Sequence, residues 1–126
     1  MFKRNIWYSC APSVIWFFII IIGSLLPSSE VPSIDVSDKW IHFVFYAIFS
    51  FLLFLSTHIN TKILNSYVKR WSLVLIIGTA VGLSIELIQH SLISGRHGEW
   101  MDVLVNTIGL LGGVFIAELL KSKGVL

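Results

Sequence analysis

Glu86, Asn106 and His42 each stand inside a different long apolar stretch of this 126-residue chain. A carboxylate, an amide and an imidazole in one place can transfer protons, bind a polar group through hydrogen bonds or ligate a metal ion. An ionisable side chain among apolar residues is costly, so such side chains usually face partners and serve a function. These three residues therefore predict a polar site built inside an apolar protein.

Further polar residues occur three or four positions away from these three, as Asp38, Lys39, Gln89 and Asp102 illustrate. Residues at this spacing lie on one face of an α-helix. A helix rises about 1.5 Å per residue, and counting from the ends of the apolar stretches places the polar residues of three helices in two layers near one end of the helices. The predicted polar site comprises Asp38, Lys39, His42, Tyr46, Glu86, Gln89, Arg96, Asp102 and Asn106.

The elements that must position this site are four apolar stretches. They are Ile6–Leu26, Trp40–Ile59, Trp71–Ile93 and Val103–Leu120. At about 1.5 Å per residue, each reaches across a hydrocarbon core of about 30 Å. Only 13% of the residues are charged and 56% are hydrophobic, whereas soluble domains have about 25% charged residues. We therefore predict an all-α integral membrane bundle of four transmembrane helices, forming a single domain over residues 1–126.

Two pairs of glycines predict where helices pack closely. Gly78 and Gly82 lie four positions apart in the third stretch, and Gly109 and Gly113 do so in the fourth. Small residues at this spacing allow two helix backbones to approach each other in lipid. Because the two stretches are consecutive, we expect the third and fourth helices to pack against each other and to bring Glu86 beside the fourth helix.

The basic residues predict the orientation in the membrane. Seven of the nine Lys and Arg residues flank one side of the four stretches, and only Lys39 and Arg96 flank the other. Lys and Arg concentrate in cytoplasmic loops. Both termini are therefore expected in the cytoplasm, and the polar site is expected to face outward.

The order of these residues resembles the VanZ-like family. The similar segments are Asp38-Lys39-x-x-His42-Phe43-x-x-Tyr46, Glu86-x-x-Gln89, Arg96, and Asp102-x-x-x-Asn106-x-x-Gly109. The resemblance implies a multi-pass protein of the bacterial cytoplasmic membrane with a role in the cell envelope. The family takes its name from a protein associated with resistance to the glycopeptide teicoplanin, so the resemblance also implies a link to glycopeptide resistance.

Structural roles compete with a functional one for most of these residues. Asp38 and Asp102 are typical helix N-caps. Asn106 and Gln89 are typical of hydrogen bonds between membrane helices, and Lys39 and Arg96 can extend toward lipid headgroups. His42 can equally be a buried structural histidine. Glu86 is the residue that structural roles explain least well.

Three classes of function remain open, and the sequence favours them in this order. The first is a non-enzymatic protein that binds a lipid or glycopeptide headgroup, or another cell-envelope precursor, at the outer leaflet. The second is a membrane-embedded enzyme acting on a lipid-linked phosphate or acyl group, with Lys39 and Arg96 as phosphate ligands. The third is a transporter, which the scarcity of polar residues in the inner halves of the helices disfavours.

No standard catalytic motif is present, so the sequence leaves the enzyme question open. The carboxylates and histidines define no ligand set from which a metal could be named, and we assign no metal and no cofactor. Nothing in the charge pattern indicates a nucleic-acid partner, and the oligomeric state is not predicted.

Overall fold

The computed structural model describes residues 6–26, 38–57, 64–93 and 99–126. These residues form four α-helices, each long and apolar enough to cross a membrane. The helices are α1 (Ile6–Leu25), α2 (Asp38–Ser56), α3 (Tyr67–Leu92) and α4 (Trp100–Ser122). The predicted all-α bundle of four membrane-spanning helices is confirmed.

Three of the four described helices start before the apolar stretches that predicted them. Asp38 and Trp100 begin α2 and α4, and Tyr67 begins α3. The hydroxyl of Ser66 caps α3 by accepting a hydrogen bond from the Val68 backbone N–H, which satisfies a donor that the first helical turn leaves free. Hydropathy misses such ends because polar residues extend the helix beyond the apolar core. The last residues of the second predicted stretch lie outside the described part of the chain.

Successive helices run in opposite directions. The C-termini of α1 and α3 therefore lie beside the N-termini of α2 and α4, where Gln89 of α3 contacts Ser24 of α1 and Lys39 of α2 contacts Asp102 of α4. We call this end of the bundle the polar end. The start of α1 and the end of α4 lie at the opposite end.

The closest approach between helices is that of α2 to α4. A Cβ atom on Gly109 would lie 2.5 Å from the carbonyl oxygen of Phe43, and one on Gly113 would overlap the carbonyl group of Ala47. The α4 glycines therefore face the backbone of α2. This corrects the expectation that they face α3, because the spacing of small residues shows that a helix approaches but does not show which one.

The α3 glycines do face α4, but the space beside them is filled by side chains and not by the backbone of the neighbouring helix. A Cβ on Gly78 would overlap the side chain of Leu110. A Cβ on Gly82 would lie 3.4 Å from Asn106 Nδ2 and 3.6 Å from Tyr46 Oη. The expected contact between the third and fourth helices thus exists, with Leu110 and Asn106 filling the space that the glycines leave.

The first helix is attached by polar contacts as well as by packing. The indole N–H of Trp16 donates to the Phe45 carbonyl at 2.9 Å, and the Ser56 hydroxyl contacts the Ser9 carbonyl at 3.0 Å. In hydrocarbon a polar group without a partner is costly, so such contacts fix the position of a helix.

Two apolar clusters fill the interior, and large apolar side chains cover the outside. The clusters consist of Ile20, Tyr46, Phe49, Ile85 and Leu110 near the polar end, and Phe54, Val74, Val114 and Ala117 toward the opposite end. Ile76, Leu87 and Phe115 are among the large residues exposed on the surface. An exposed apolar surface of this kind is typical of helices that face lipid tails.

Candidate functional site

Lys39 ties α2 to the start of α4. Its ammonium lies 2.6 Å from Asp102 Oδ1 and 2.6 Å from Glu99 Oε2. The Lys39 and Glu99 side chains are 36% and 59% exposed, while that of Asp102 is 12% exposed. The carboxylate of Asp102 also lies in the first turn of α4, where the helix dipole favours negative charge. The two ion pairs form the open rim of the polar end.

His42 lies one turn below Lys39 and is oriented by α4. Its Nδ1 is 2.9 Å from Asn106 Oδ1, and its Nε2 is 3.8 Å from Asp102 Oδ2. The amide oxygen of Asn106 can only accept, so Nδ1 carries the proton in this contact. The Nε2 atom of His42 faces Asp102 Oδ2.

Glu86 reaches the same place from α3. It is 6% exposed, and its Oε2 accepts a hydrogen bond from the Glu99 backbone N–H at 3.3 Å. Its Oε1 is buried and has no hydrogen-bond partner among the described residues. Ligand atoms of Glu86, His42 and Asp102 all lie within 4.8 Å of one another. Three helices thus contribute one side chain each to a single cluster.

Two more buried polar atoms lack partners beneath this cluster. They are Asn106 Nδ2 and Tyr46 Oη, on residues that are 3% and 2% exposed. Both lie beside the position that a side chain on Gly82 would occupy. A buried polar atom without a hydrogen bond costs about 1–3 kcal/mol. A ligand group that forms hydrogen bonds with Asn106 Nδ2 and Tyr46 Oη would remove this cost.

The remaining predicted site residues lie elsewhere. Gln89 is buried, but its side-chain N–H donates to the Ser24 carbonyl of α1 at 2.6 Å, so it joins two helices and turns away from the cluster. Asp38 is exposed at the first turn of α2. Arg96 lies outside the described residues. The structure thus groups Lys39, His42, Tyr46, Glu86, Asp102 and Asn106.

Glu99 is the site residue that the sequence analysis did not include. It pairs with Lys39 through its side chain and with Glu86 through its backbone. The available signal was its position three residues before Asp102, which places both carboxylates on the side of α4 that meets α2. Hydropathy gave no such signal, because Glu99 precedes the apolar stretch.

The charges of the described site are unbalanced. Glu86, Asp102 and Glu99 supply three carboxylates, and Lys39 supplies one ammonium. When all three carboxyl groups are ionised, these acids exceed the ammonium of Lys39 by two charges. The site as described therefore favours cationic or hydrogen-bond-donating groups at the carboxylates and a hydrogen-bond acceptor at Asn106.

A separate cavity lies at the opposite end of the bundle. Its volume is about 330 Å³. It is lined by Tyr8, Ser9, Pro12, Leu52, Leu55, Lys121 and Leu126, and it includes no predicted site residue. The convergence of buried polar groups distinguishes the polar end from this largely apolar cavity.

The sequence profile described as VanZ/LLP1 matches residues 3–121, nearly the whole chain. This match includes all six residues that the structure brings together and confirms the resemblance noted from the sequence. Comparisons with curated proteins and with solved structures gave no significant match.

Proposed function

The chain belongs to the VanZ/LLP1 family, and we propose that it binds, at the polar end of its bundle, a lipid or glycopeptide headgroup such as that of a cell-envelope precursor. The observation that carries this proposal is the pair of unpartnered buried atoms, Asn106 Nδ2 and Tyr46 Oη. Tyr46 lies seven residues after Lys39 and Asn106 lies seven residues after Glu99, so both are about two helical turns beneath the exposed rim. A headgroup entering from the membrane surface meets the rim first and these two atoms last.

The chemistry of the two atoms defines what they bind. The amide N–H of Asn106 donates, and the phenol of Tyr46 donates or accepts. Together they suit a carbonyl, hydroxyl or phosphoryl oxygen of the headgroup. The role that the sequence suggested for Lys39 changes, because both of its close partners are carboxylates. In this proposal Asn106 and Tyr46, and not Lys39, bind the oxygen of the headgroup.

We place the polar end at the outer leaflet of a bacterial cytoplasmic membrane, with both termini in the cytoplasm. The support is the distribution of Lys and Arg, since Lys69, Arg70, Lys121 and Lys123 all lie toward the opposite end. Alkaline phosphatase, which is active only outside the cytoplasm, should be inactive when fused after Leu126. The same reporter fused after Ser33 should be active. An active fusion after Leu126 would move the site to the inner leaflet.

Binding is tested directly with protein reconstituted in lipid nanodiscs. The discs contain phosphatidylethanolamine, phosphatidylglycerol or an undecaprenyl-linked peptidoglycan precursor, and retained lipid is counted by native mass spectrometry. Tyr46→Phe keeps the aromatic packing and removes only the hydroxyl. Loss of one hydrogen bond of about 1–1.4 kcal/mol should lower retention of the bound lipid about fivefold to tenfold. Asn106→Leu should lower it at least as much.

Matched controls separate binding from general damage. Thr107→Val removes a hydroxyl next to Asn106 that bonds only the Val103 carbonyl of its own helix, and Tyr8→Phe removes an exposed phenol at the opposite end. Both controls should retain lipid like the parent. Equal retention by the parent, Tyr46→Phe and Asn106→Leu, for every headgroup offered, would refute the proposal.

A second candidate function is a membrane-embedded enzyme acting on a lipid-linked phosphate or acyl group. The observation that favours it is the orientation of His42 between Asn106 Oδ1 and Asp102 Oδ2, which is the arrangement of a general base held by neighbours. Product analysis by mass spectrometry after incubation with the same lipids distinguishes the two functions. Turnover that disappears in His42→Gln would favour the enzyme over the binding protein.

The link to glycopeptide resistance forms the last part of the proposal. If the site binds an envelope precursor, loss of the chain should change susceptibility to teicoplanin. A deletion strain complemented with the parent or with Tyr46→Phe provides the comparison, with protein abundance measured in both. Unchanged teicoplanin susceptibility in the deletion strain would leave the headgroup proposal standing and remove the resistance role.

A further inference from the structure

The cluster of His42, Glu86 and Asp102 has the composition of a metal site. One possible ligand atom from each lies within 4.8 Å of those of the other two. The three side chains come from α2, α3 and α4, so the site exists only when the bundle is assembled. The sequence predicts that the three residues share one polar site, although 44 positions separate His42 from Glu86 and 16 separate Glu86 from Asp102; the structure adds that their ligand atoms come within reach of one ion.

Each of the three side chains is held through one atom and leaves its other atom for a ligand. Asp102 Oδ1 pairs with Lys39, and His42 Nδ1 donates to Asn106. Glu86 Oε2 accepts from the backbone of Glu99. Metal ligands in proteins are commonly oriented by such hydrogen bonds to their non-ligating atoms.

The free atom of Glu86 gives an independent indication of a bound cation. Glu86 is 94% buried, and its Oε1 has no hydrogen-bond partner among the described residues. A buried carboxylate oxygen without a partner is strongly unfavourable unless a cation or donor reaches it. The excess of two negative charges in the described cluster matches the charge of one divalent ion.

We propose that His42 Nε2, Glu86 Oε1 and Asp102 Oδ2 bind one divalent first-row transition-metal ion. The imidazole favours Zn²⁺ over Ca²⁺ and Mg²⁺, which prefer oxygen ligands alone. Ligands about 2.1 Å from such an ion lie roughly 3–3.5 Å apart. The His42 to Asp102 separation of 3.8 Å is already near this range. The proposal rests on this geometry and does not require the headgroup proposal.

The site leaves coordination positions open. Three protein ligands are the number found in metal sites that also bind water or a substrate oxygen. Lys39 takes no coordination position, because it contacts the other oxygen of Asp102.

Metal binding is measured on chelator-treated, detergent-purified protein that carries no polyhistidine tag. Isothermal titration with ZnCl₂ should show one ion per chain. Glu86→Gln, Asp102→Asn and His42→Gln should each weaken binding at least about tenfold, since even supporting residues of metal sites contribute this much. The matched control is Glu118→Gln, because Glu118 also has a buried carboxylate oxygen without a partner but lies in α4 toward the opposite end. It should bind Zn²⁺ like the parent.

A second measurement decides the question even if a site variant fails to fold. Replacement of the other histidines (His58→Asn, His90→Asn, His97→Asn) leaves His42 as the only imidazole in the chain. Pulsed EPR of this protein with one equivalent of Cu²⁺, a paramagnetic substitute for Zn²⁺ that also binds imidazole, should show nitrogen modulation from one imidazole. Absence of stoichiometric binding, absence of the nitrogen signal, or an equal loss of Zn²⁺ affinity in Glu118→Gln would each overturn the proposal.

Discussion

The two glycine pairs of this bundle have the same spacing and contact different kinds of neighbour. Gly109 and Gly113 of α4 contact the backbone of α2, whereas Gly78 and Gly82 of α3 leave room for side chains of α2 and α4. A backbone carbonyl cannot move away from an added methyl group unless the helix moves, but a leucine or asparagine side chain can rotate. The pairs therefore differ in how much a small substitution should cost, and in whether the cost falls on folding or on the polar site.

The largest effect is expected at Gly113. Gly113→Ala places a methyl group on the carbonyl of Ala47, which forces α4 away from α2 and should reduce the free energy of unfolding by about 3 kcal/mol or more. The measurement is unfolding in detergent, followed by tryptophan fluorescence. The control is Gly112→Ala, whose methyl would meet only the ring of Phe43 at 3.8 Å. Equal stability of these two variants would contradict the close α2–α4 contact.

An intermediate effect is expected at Gly78. The methyl group of Gly78→Ala overlaps the side chain of Leu110, which is fully buried but can change its rotamer. We expect a loss of about 1–2 kcal/mol. In a double-mutant cycle with Leu110→Ala, the two changes should cost less together than their sum, because the smaller residue removes the overlap. Additive losses would show that Gly78 and Leu110 do not meet.

The smallest effect on stability, with a specific effect on binding, is expected at Gly82. The methyl group of Gly82→Ala would lie at ordinary contact distance from Asn106 and Tyr46, so the free energy of unfolding should rise by no more than about 1 kcal/mol, the helix propensity that alanine gains over glycine. The same methyl group fills the space beside the two unpartnered atoms. Retention of the bound lipid in nanodiscs should therefore fall about fivefold or more. Retention equal to that of the parent would separate Gly82 from the site.

These contrasts also show how far the sequence predicts such a protein. The apolar stretches predict the four helices because length and hydropathy are properties of each segment. The spacing of His42, Glu86 and Asn106 predicts which residues share a face of each helix. It does not predict that Gly109 meets Phe43, because that depends on how the helices rotate and which of them approach.

The same limit explains the individual site residues. Gln89 was grouped with Glu86 by its helical spacing, but the carbonyl of Ser24 on α1 is its partner. Glu99 was missed because it precedes the apolar part of α4, although its backbone and side chain both join the cluster. The partner of Gln89 and the place of Glu99 in the cluster both depend on residues that are distant in the sequence. Periodicity within one segment gives no information about such contacts.

The central claim is that the polar end, and not simply a buried carboxylate in the membrane, carries the function. Among the described residues, two buried carboxylate oxygens lack partners, one on Glu86 at the polar end and one on Glu118 toward the opposite end. Glutamine keeps the shape of either side chain and removes its charge. Comparing Glu86→Gln with Glu118→Gln therefore makes the same change at opposite ends of the bundle, at a buried and at a partly buried glutamate.

The direct test is complementation of the envelope phenotype of a deletion strain, including glycopeptide susceptibility, by these two variants at equal protein abundance. We expect Glu86→Gln to fail to complement although it inserts into the membrane normally, and Glu118→Gln to complement like the parent. Full complementation by Glu86→Gln at the abundance of the parent would show that the charge of Glu86 is not needed for function.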